Sequence, residues 1–140
     1  MSSPSPKPAS SYMSSSSTHC LAPAADARPI DLVHLSRQSL GDRSLELELL
    51  QLFDRQSEQI LLRLNEGLAL GERRWLRDLC HTLDGSARAV GAVHVSAAAG
   101  EYGRAVFTSA SDAELAGLRA ELVARVREAR AEIAELLRED

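Results

Sequence analysis

The sequence contains few aromatic residues, only two cysteines and no long apolar run. Aromatic residues make up 4% of the 140 residues. Cys20 lies in a serine tract and Cys80 in a helical pattern, so nothing supports a structural disulfide, and a reducing compartment fits best. No apolar stretch reaches the roughly 18 residues that a membrane helix needs, and the first residues lack the apolar core of a secretory signal. We therefore expect a soluble, cytoplasmic protein that does not associate with a membrane.

The chain also lacks a basic excess and the residue groups of common enzymes. Its formal net charge is -4 and its pI is about 5.6, so we expect no nucleic-acid partner. No Walker-type glycine loop marks an ATP site, and no hydrolase constellation is visible. Cys80 and His81 are adjacent, but neighbouring helix positions diverge by about 100°, and no second ligand pair is present. We predict no metal and no cofactor of the protein's own.

Composition divides the chain into two parts. Residues 1–29 are rich in serine, proline and alanine and have almost no large apolar side chains. Such a segment cannot offset the entropy cost of ordering it, so it is predicted to be a disordered tail. Residues 30–140 are predicted to form one domain.

Apolar periodicity in the domain predicts helices. A short leading helix begins near Ile30 and stops at Gly41, and a stripe spaced by threes and fours predicts a long amphipathic helix that ends near Gly67 or Gly71. The members of that stripe are Leu45, Leu49, Leu52, Phe53, Gln56, Ile60, Leu64 and Leu68. The third helix spans residues 72–90 on a stripe of Leu76, Leu79, Leu83, Ala87 and Val90, with Gly91 as its left-handed cap.

Two further helices complete the pattern. A fourth is predicted over about residues 92–107, and a fifth follows the capping box formed by Ser111 and Glu114. Helices with single apolar stripes and short connections pack as antiparallel neighbours. The predicted fold is therefore all-α, an up-down four-helix bundle with a short leading helix. A coiled-coil dimer built on the last helix is the rival, but its alanine-rich seam and the other amphipathic helices favour a monomeric bundle.

The segment HTLDGSARAVGA, residues 81–92, places a histidine on the side of the third helix that faces away from the core. His81 lies about 200° around the helix from Leu79 and from Leu83, so its side chain is predicted to face solvent. A strip of arginines lies within about 40° of His81 on the helical wheel. It consists of Arg74, Arg77 and Arg88.

Gly85 follows one turn after His81 and needs a physical reason. Glycine inside a helix costs about 0.5 to 1 kcal/mol relative to alanine. Its missing side chain leaves room beside the imidazole for a phosphoryl group and the protein that delivers it. A neutral imidazole has a ring nitrogen that can attack phosphorus, and nearby arginines can stabilise the charge that develops.

These residues resemble the motif of histidine-containing phosphotransfer (HPt) domains: histidine, any residue, leucine, lysine, glycine, serine, and a further glycine ten residues after the histidine. His81, Leu83, Gly85, Ser86 and Gly91 match this motif in order and spacing. The resemblance extends over roughly residues 30–108 in helix layout. It implies a four-helix bundle with an exposed histidine that works in a multistep phosphorelay.

The resemblance also implies partners. A receiver domain, usually in a hybrid histidine kinase, would give His81 a phosphoryl group from an aspartate, and His81 would pass the group to another receiver. Mg²⁺ would come from the receiver. The protein would be a phosphocarrier and not an autonomous kinase.

Asp84 stands where the family usually has lysine, and it leaves several hypotheses open. It could pair with Arg88 at i+4, so that Arg88 or Arg77 takes over the role of the lysine. It could instead accept a hydrogen bond from the imidazole and fix its tautomer, or it could mark a weakened or regulatory member. A carboxylate near the phosphorylated ring also favours an alternative function, in which the bundle binds a receiver or kinase without carrying phosphate.

The remaining histidines and the tryptophan are assigned no chemistry. His34 and His94 lie near predicted helix ends and are expected to be structural or surface residues. Trp75 is expected to pack at the end of the bundle. Cys80 is predicted to be a small buried or half-buried thiol.

Overall fold

The computed structural model describes residues 27–108 and 110–139, and this part of the chain is helical without strands. The five helices are α1 (Leu32–Gln38), α2 (Arg43–Leu70), α3 (Arg73–Val90), α4 (Val93–Ala105) and α5 (Asp112–Arg138). The all-α prediction is confirmed, and each predicted helix is present. The predicted disordered tail lies outside the described residues except for residues 27–29, and so does Cys20.

The helix ends follow local sequence signals. The side chain of Asp31 accepts hydrogen bonds from the backbone N–H groups of Val33 and His34 at the start of α1. The predicted capping box at the start of α5 is confirmed: Glu114 N donates to Ser111 Oγ (3.2 Å) and Ser111 N donates to Glu114 Oε1 (2.8 Å). These bonds satisfy backbone donors that a helix leaves unpaired.

The four long helices form a closed ring in which each packs against the next in sequence and α5 packs back against α2. The predicted apolar stripe of α3 is buried throughout, with Leu83 and Ala87 fully inaccessible. Helix α5 adds the other half of the core, centred on Leu122, Val126 and Ile133. Burial of these stripes supplies the main stabilisation of the bundle, because apolar area removed from water is the dominant favourable contribution.

The stripe predicted for α2 is only partly correct. Leu52 and Leu68 are nearly half exposed, whereas Leu50 and Ser57 are buried in the core. The sequence of α2 offers leucines at many adjacent positions, so a spacing of threes and fours fits more than one stripe. Ser57 is accommodated because its hydroxyl donates to the carbonyl oxygen of Asp54 (3.1 Å).

Gly91, the cap of α3, fixes the leading segment onto the bundle. Its φ is +78°, and a Cβ atom there would lie 2.7 Å from the carbonyl oxygen of Asp31. The backbone N–H of Asp31 donates to the carbonyl oxygen of Gly91 (2.7 Å), and Ile30 is fully buried. Only glycine combines this left-handed conformation with such a close approach of two backbones.

Residues 27–29, predicted as the end of the tail, contact the bundle. Nε2 of His94 donates to the carbonyl oxygen of Ala27 (2.9 Å), and Arg28 pairs with Glu132 on α5. Among the residues the structure describes, no helix combines the length and apolar character needed to cross a membrane.

A groove of about 370 Å³ follows the seam between α2 and α5. Leu61, Leu62 and Val123 contribute apolar surface to it. Arg130 bridges the seam, because its Nε donates to Asp54 (2.8 Å) and its Nη2 lies 3.6 Å from Glu58. The hydrogen bond with Asp54 raises the pKa of Arg130. This groove is called the α2/α5 groove below.

Candidate functional site

His81 lies in the middle of α3 with its side chain exposed. Leu79 and Leu83, two residues before and after it, are buried on the opposite side of the helix, and the neighbouring Cys80 is buried as well. The imidazole forms no hydrogen bond or ion pair with any residue in 27–108 or 110–139. The ring is therefore presented to solvent with both nitrogens available to a partner.

His81 lines a groove of about 320 Å³ between α3 and α4, called the His81 groove below. The buried part of its lining consists of Cys80, Ala99 and Gly103. A Cβ atom at Gly103 would lie 3.1 Å from Cβ of Cys80, so glycine allows α4 to approach α3 closely here. Small side chains on α4 thus leave open space beside the imidazole.

Two exposed residues border the groove on the side of α4. Phe107 follows the last turn of α4, is half exposed, and carries the guanidinium of Arg77 at 4.9 Å from its ring centroid. Arg104 also lines the groove. Neither residue is indicated by the pattern of α3, and the one sequence signal for Phe107 is that the chain has so few aromatic residues.

The predicted arginine strip lies on the exposed side of α3, but its members differ in their partners. Arg77 stacks on Phe107 and lies 3.7 Å from Asp78. Arg88 pairs with Asp84. Arg74 is exposed and has no hydrogen bond or ion pair within the described chain.

Asp84 lines the same groove as His81, and its carboxylate is occupied by other partners. Arg88 donates to it in a two-pronged pair, from Nε to Oδ1 (3.0 Å) and from Nη2 to Oδ2 (3.4 Å). Ser96 on α4 donates its hydroxyl to Oδ1 as well. Within the described residues there is no hydrogen bond between Asp84 and His81, so the structure favours the pairing hypothesis over the tautomer hypothesis.

Gly85 is exposed one turn after His81, and a Cβ atom built there would meet nothing within 4 Å. The glycine therefore has no packing reason in the folded chain. Gly85 lies between His81 and Arg88 and places no side chain on the surface of α3 there.

The other reactive side chains have structural environments. Burial raises the pKa of the Cys80 thiol to about 12, which keeps it protonated and unreactive. Nε2 of His34 donates to the carbonyl oxygen of Arg88, as His94 does to Ala27, so both rings hold backbone segments together. Trp75 packs against the core beside Gly67. Among the residues described, no cluster of three or more His, Cys, Asp or Glu side chains could hold a metal ion.

The ring of four helices with an exposed histidine midway along one of them defines a class of protein, the helical bundles that present an imidazole to solvent. The comparison with protein families agrees with this class, since the Hpt domain family matches residues 48–139, well over half of the chain. The chain belongs to the Hpt domain family. No curated protein and no solved structure gives a significant match.

Family membership supports a role in phosphorelays, where Hpt domains interact with receiver domains and kinases.

Proposed function

We propose that this protein carries a phosphoryl group on His81 between the aspartates of receiver domains in a multistep phosphorelay. The observation that supports this most directly is the exposed imidazole in an open groove, with Gly85 leaving free space one turn away. Both nitrogens of the ring lack partners within the described chain, so one can attack while the other keeps its proton.

The transfer needs no reactant beyond the two proteins. The lone pair of an imidazole nitrogen attacks the phosphorus of the receiver's aspartyl phosphate, and an N–P bond forms. The P–O bond to the aspartate breaks, and its electron pair leaves with the carboxylate. The onward step reverses these changes on a second receiver. Negative charge on the equatorial oxygens of the phosphoryl group is stabilised by cations near the reacting atoms.

The arginines on the exposed side of α3 provide such cations. Arg77 lines the His81 groove itself, and Arg74 and Arg88 lie farther along the same face of α3. Arg104 lines the groove from α4. We assign Mg²⁺ to the receiver, a hybrid histidine kinase to the upstream position, and the cytoplasm as the site of the relay. The protein acts as a monomer and a carrier without an ATP site of its own.

The test mixes the purified protein with a receiver carrying radiolabelled aspartyl phosphate. We expect label on the protein that is acid-labile and base-stable, the behaviour of an N–P bond. His81→Gln must abolish the label, since no other histidine of the described chain has a ring without a backbone partner.

Two matched variants control the assignment. His34→Gln and His94→Gln change rings that bind backbone carbonyls, so both are expected to remain labelled. If the wild type takes no label from any receiver of its own cell but binds one, the alternative of a receiver-binding module without phosphate replaces this proposal.

A further inference from the structure

Asp84 presents a puzzle, because a carboxylate one turn from a phosphorylated imidazole should repel the phosphoryl group. The residues around Asp84 reduce this repulsion. The Asp84 side chain is only 18% exposed, and the two-pronged pair with Arg88 balances its charge locally. The hydroxyl of Ser96 adds a third donor to the same carboxylate.

Arg88 lies two turns after His81 on α3. Its guanidinium is directed back toward His81 by the pair with Asp84. Helical side chains lean toward the N-terminus of their helix, and Asp84 lies four residues before Arg88, about 6 Å along the axis. The pair with Asp84 therefore draws the guanidinium of Arg88 back along the helix, toward His81 and the edge of the His81 groove that Asp84 lines. Arg88 does not line the His81 groove itself, but Asp84, which holds its guanidinium, does, and Gly85 places no side chain on the neighbouring surface of α3.

Ser96 makes the arrangement depend on α4 as well as α3. Its hydroxyl donates to the same Oδ1 that accepts from Nε of Arg88, so the carboxylate is fixed from two helices. A surface pair of two long side chains alone would be mobile and weak. A carboxylate tied to the neighbouring helix is a firmer support for the guanidinium.

We infer that Ser96, Asp84 and Arg88 form a positioning unit for the phosphotransfer reaction: Ser96 fixes Asp84, and Asp84 holds the guanidinium of Arg88 where it meets the phosphoryl oxygens on His81. Arg88 then supplies the cation that the family's lysine would bring from position 84. Asp84 and Ser96 are positioning residues that act through Arg88. The inference rests on the proposed phosphoacceptor role of His81.

The first experiment removes the charge of Asp84 and compares it with a matched acid. Asp78 lies three residues before His81 as Asp84 lies three after it, but Asp78 is exposed and its one pair, with Arg77, is longer at 3.7 Å. We expect Asp84→Asn to slow transfer from a saturating phosphorylated receiver by about three- to tenfold, the effect of weakening a charge-assisted contact to the transition state. Asp78→Asn should leave the rate unchanged or raise it slightly.

Simple repulsion predicts the opposite sign. If Asp84 only repels the phosphoryl group, Asp84→Asn accelerates transfer, and the positioning unit is rejected. A rate equal to that of the wild type also rejects it.

The second experiment tests Ser96. Ser96→Ala should slow transfer in the same direction as Asp84→Asn, and Ser96→Thr, which keeps the hydroxyl, should restore the rate. Neither variant should change the Kd for the unphosphorylated receiver. A merely structural disturbance of the groove would instead raise that Kd. A Ser96→Ala variant that transfers at the wild-type rate excludes Ser96 from the unit.

A small phosphodonor separates this inference from the proposed function. Potassium phosphoramidate can phosphorylate histidine without a receiver, and its rate on His81 should follow the same order among the variants. If that order appears but no receiver exchanges phosphate, the proposed relay fails and the positioning unit stands. If receivers exchange phosphate but Asp84→Asn is not slower, the unit fails and the relay stands.

Discussion

The bundle has two grooves of similar volume on opposite seams, and their linings differ in kind. The His81 groove, between α3 and α4, contains an imidazole without an intramolecular partner above small buried residues such as Ala99 and Gly103. The α2/α5 groove is slightly larger, but Arg130 there already pairs with Asp54 and Glu58. Under the role proposed for His81 the smaller groove is the reactive one, so volume alone does not identify it.

The two grooves differ in how their polar side chains are paired. In the α2/α5 groove Arg130 on α5 pairs with Asp54 and Glu58 on α2, so these ion pairs hold the two helices together. The buried Nε of Arg119, which also lines this groove, has no hydrogen-bond partner within the described residues. In the His81 groove the polar groups are arranged around a ring that binds nothing in the described chain. An exposed imidazole without an intramolecular partner, next to a carboxylate that is already paired, indicates a candidate functional site better than groove volume does.

The largest effect is expected from the core beneath the His81 groove. Leu83 is fully buried directly behind the histidine face, so Leu83→Ala should lower the free energy of unfolding by about 2–5 kcal/mol. The matched control is Leu62→Ala in the α2/α5 groove, where the leucine is 55% exposed and the loss should be within about 0.5 kcal/mol. Urea unfolding followed by circular dichroism measures both. Equal losses would mean that the two grooves are packed alike.

A smaller effect separates stability from transfer at Gly85. Because a Cβ atom there meets nothing within 4 Å, Gly85→Ala should stabilise the helix by about 0.5–1 kcal/mol. Gly85→Leu should fold as well but slow phosphotransfer from a receiver, since its bulk fills the space beside His81.

Gly117 provides the control for that prediction. It lies on α5, which contributes no residue to the His81 groove, and a Cβ atom there also meets nothing within 4 Å. Gly117→Ala should give the same gain in thermal stability, and Gly117→Leu should leave transfer unchanged. Equal transfer by the two leucine variants would remove the functional reason for Gly85.

The sequence predicts some features of the His81 groove and not others. Features that depend on one helix were predictable: the buried stripe containing Leu83, the cap at Gly91 and the exposure of His81 all follow from helical periodicity and local backbone rules. Contacts between helices were not predictable in this way. Ser96 and Phe107 reach the site from α4 and the turn after it, and no spacing within α3 indicates which residues the neighbouring helix will bring.

The buried face of α2 also depends on contacts between helices. Leu50 and Leu52 are the same residue type and lie two positions apart, yet Leu50 is buried and Leu52 is exposed. The packing of α3 and α5 against α2 decides this difference. Where a helix offers more apolar positions than its neighbours can cover, periodicity alone does not fix the buried face.

The smallest effect tests whether the α2/α5 groove is purely structural. Arg130 is about one third exposed, so losing its pairs with Asp54 and Glu58 in Arg130→Ala should lower the free energy of unfolding by only about 0.2–1 kcal/mol. Phosphotransfer through His81 should be unchanged, because these pairs lie on the opposite seam. Arg138→Ala, which removes an exposed pair with Glu135 at the end of α5, is the control and should cost less still. A slower transfer rate in Arg130→Ala at unchanged stability would show that the second groove takes part in the reaction or in receiver binding, and the division between a reactive and a structural groove would then be wrong.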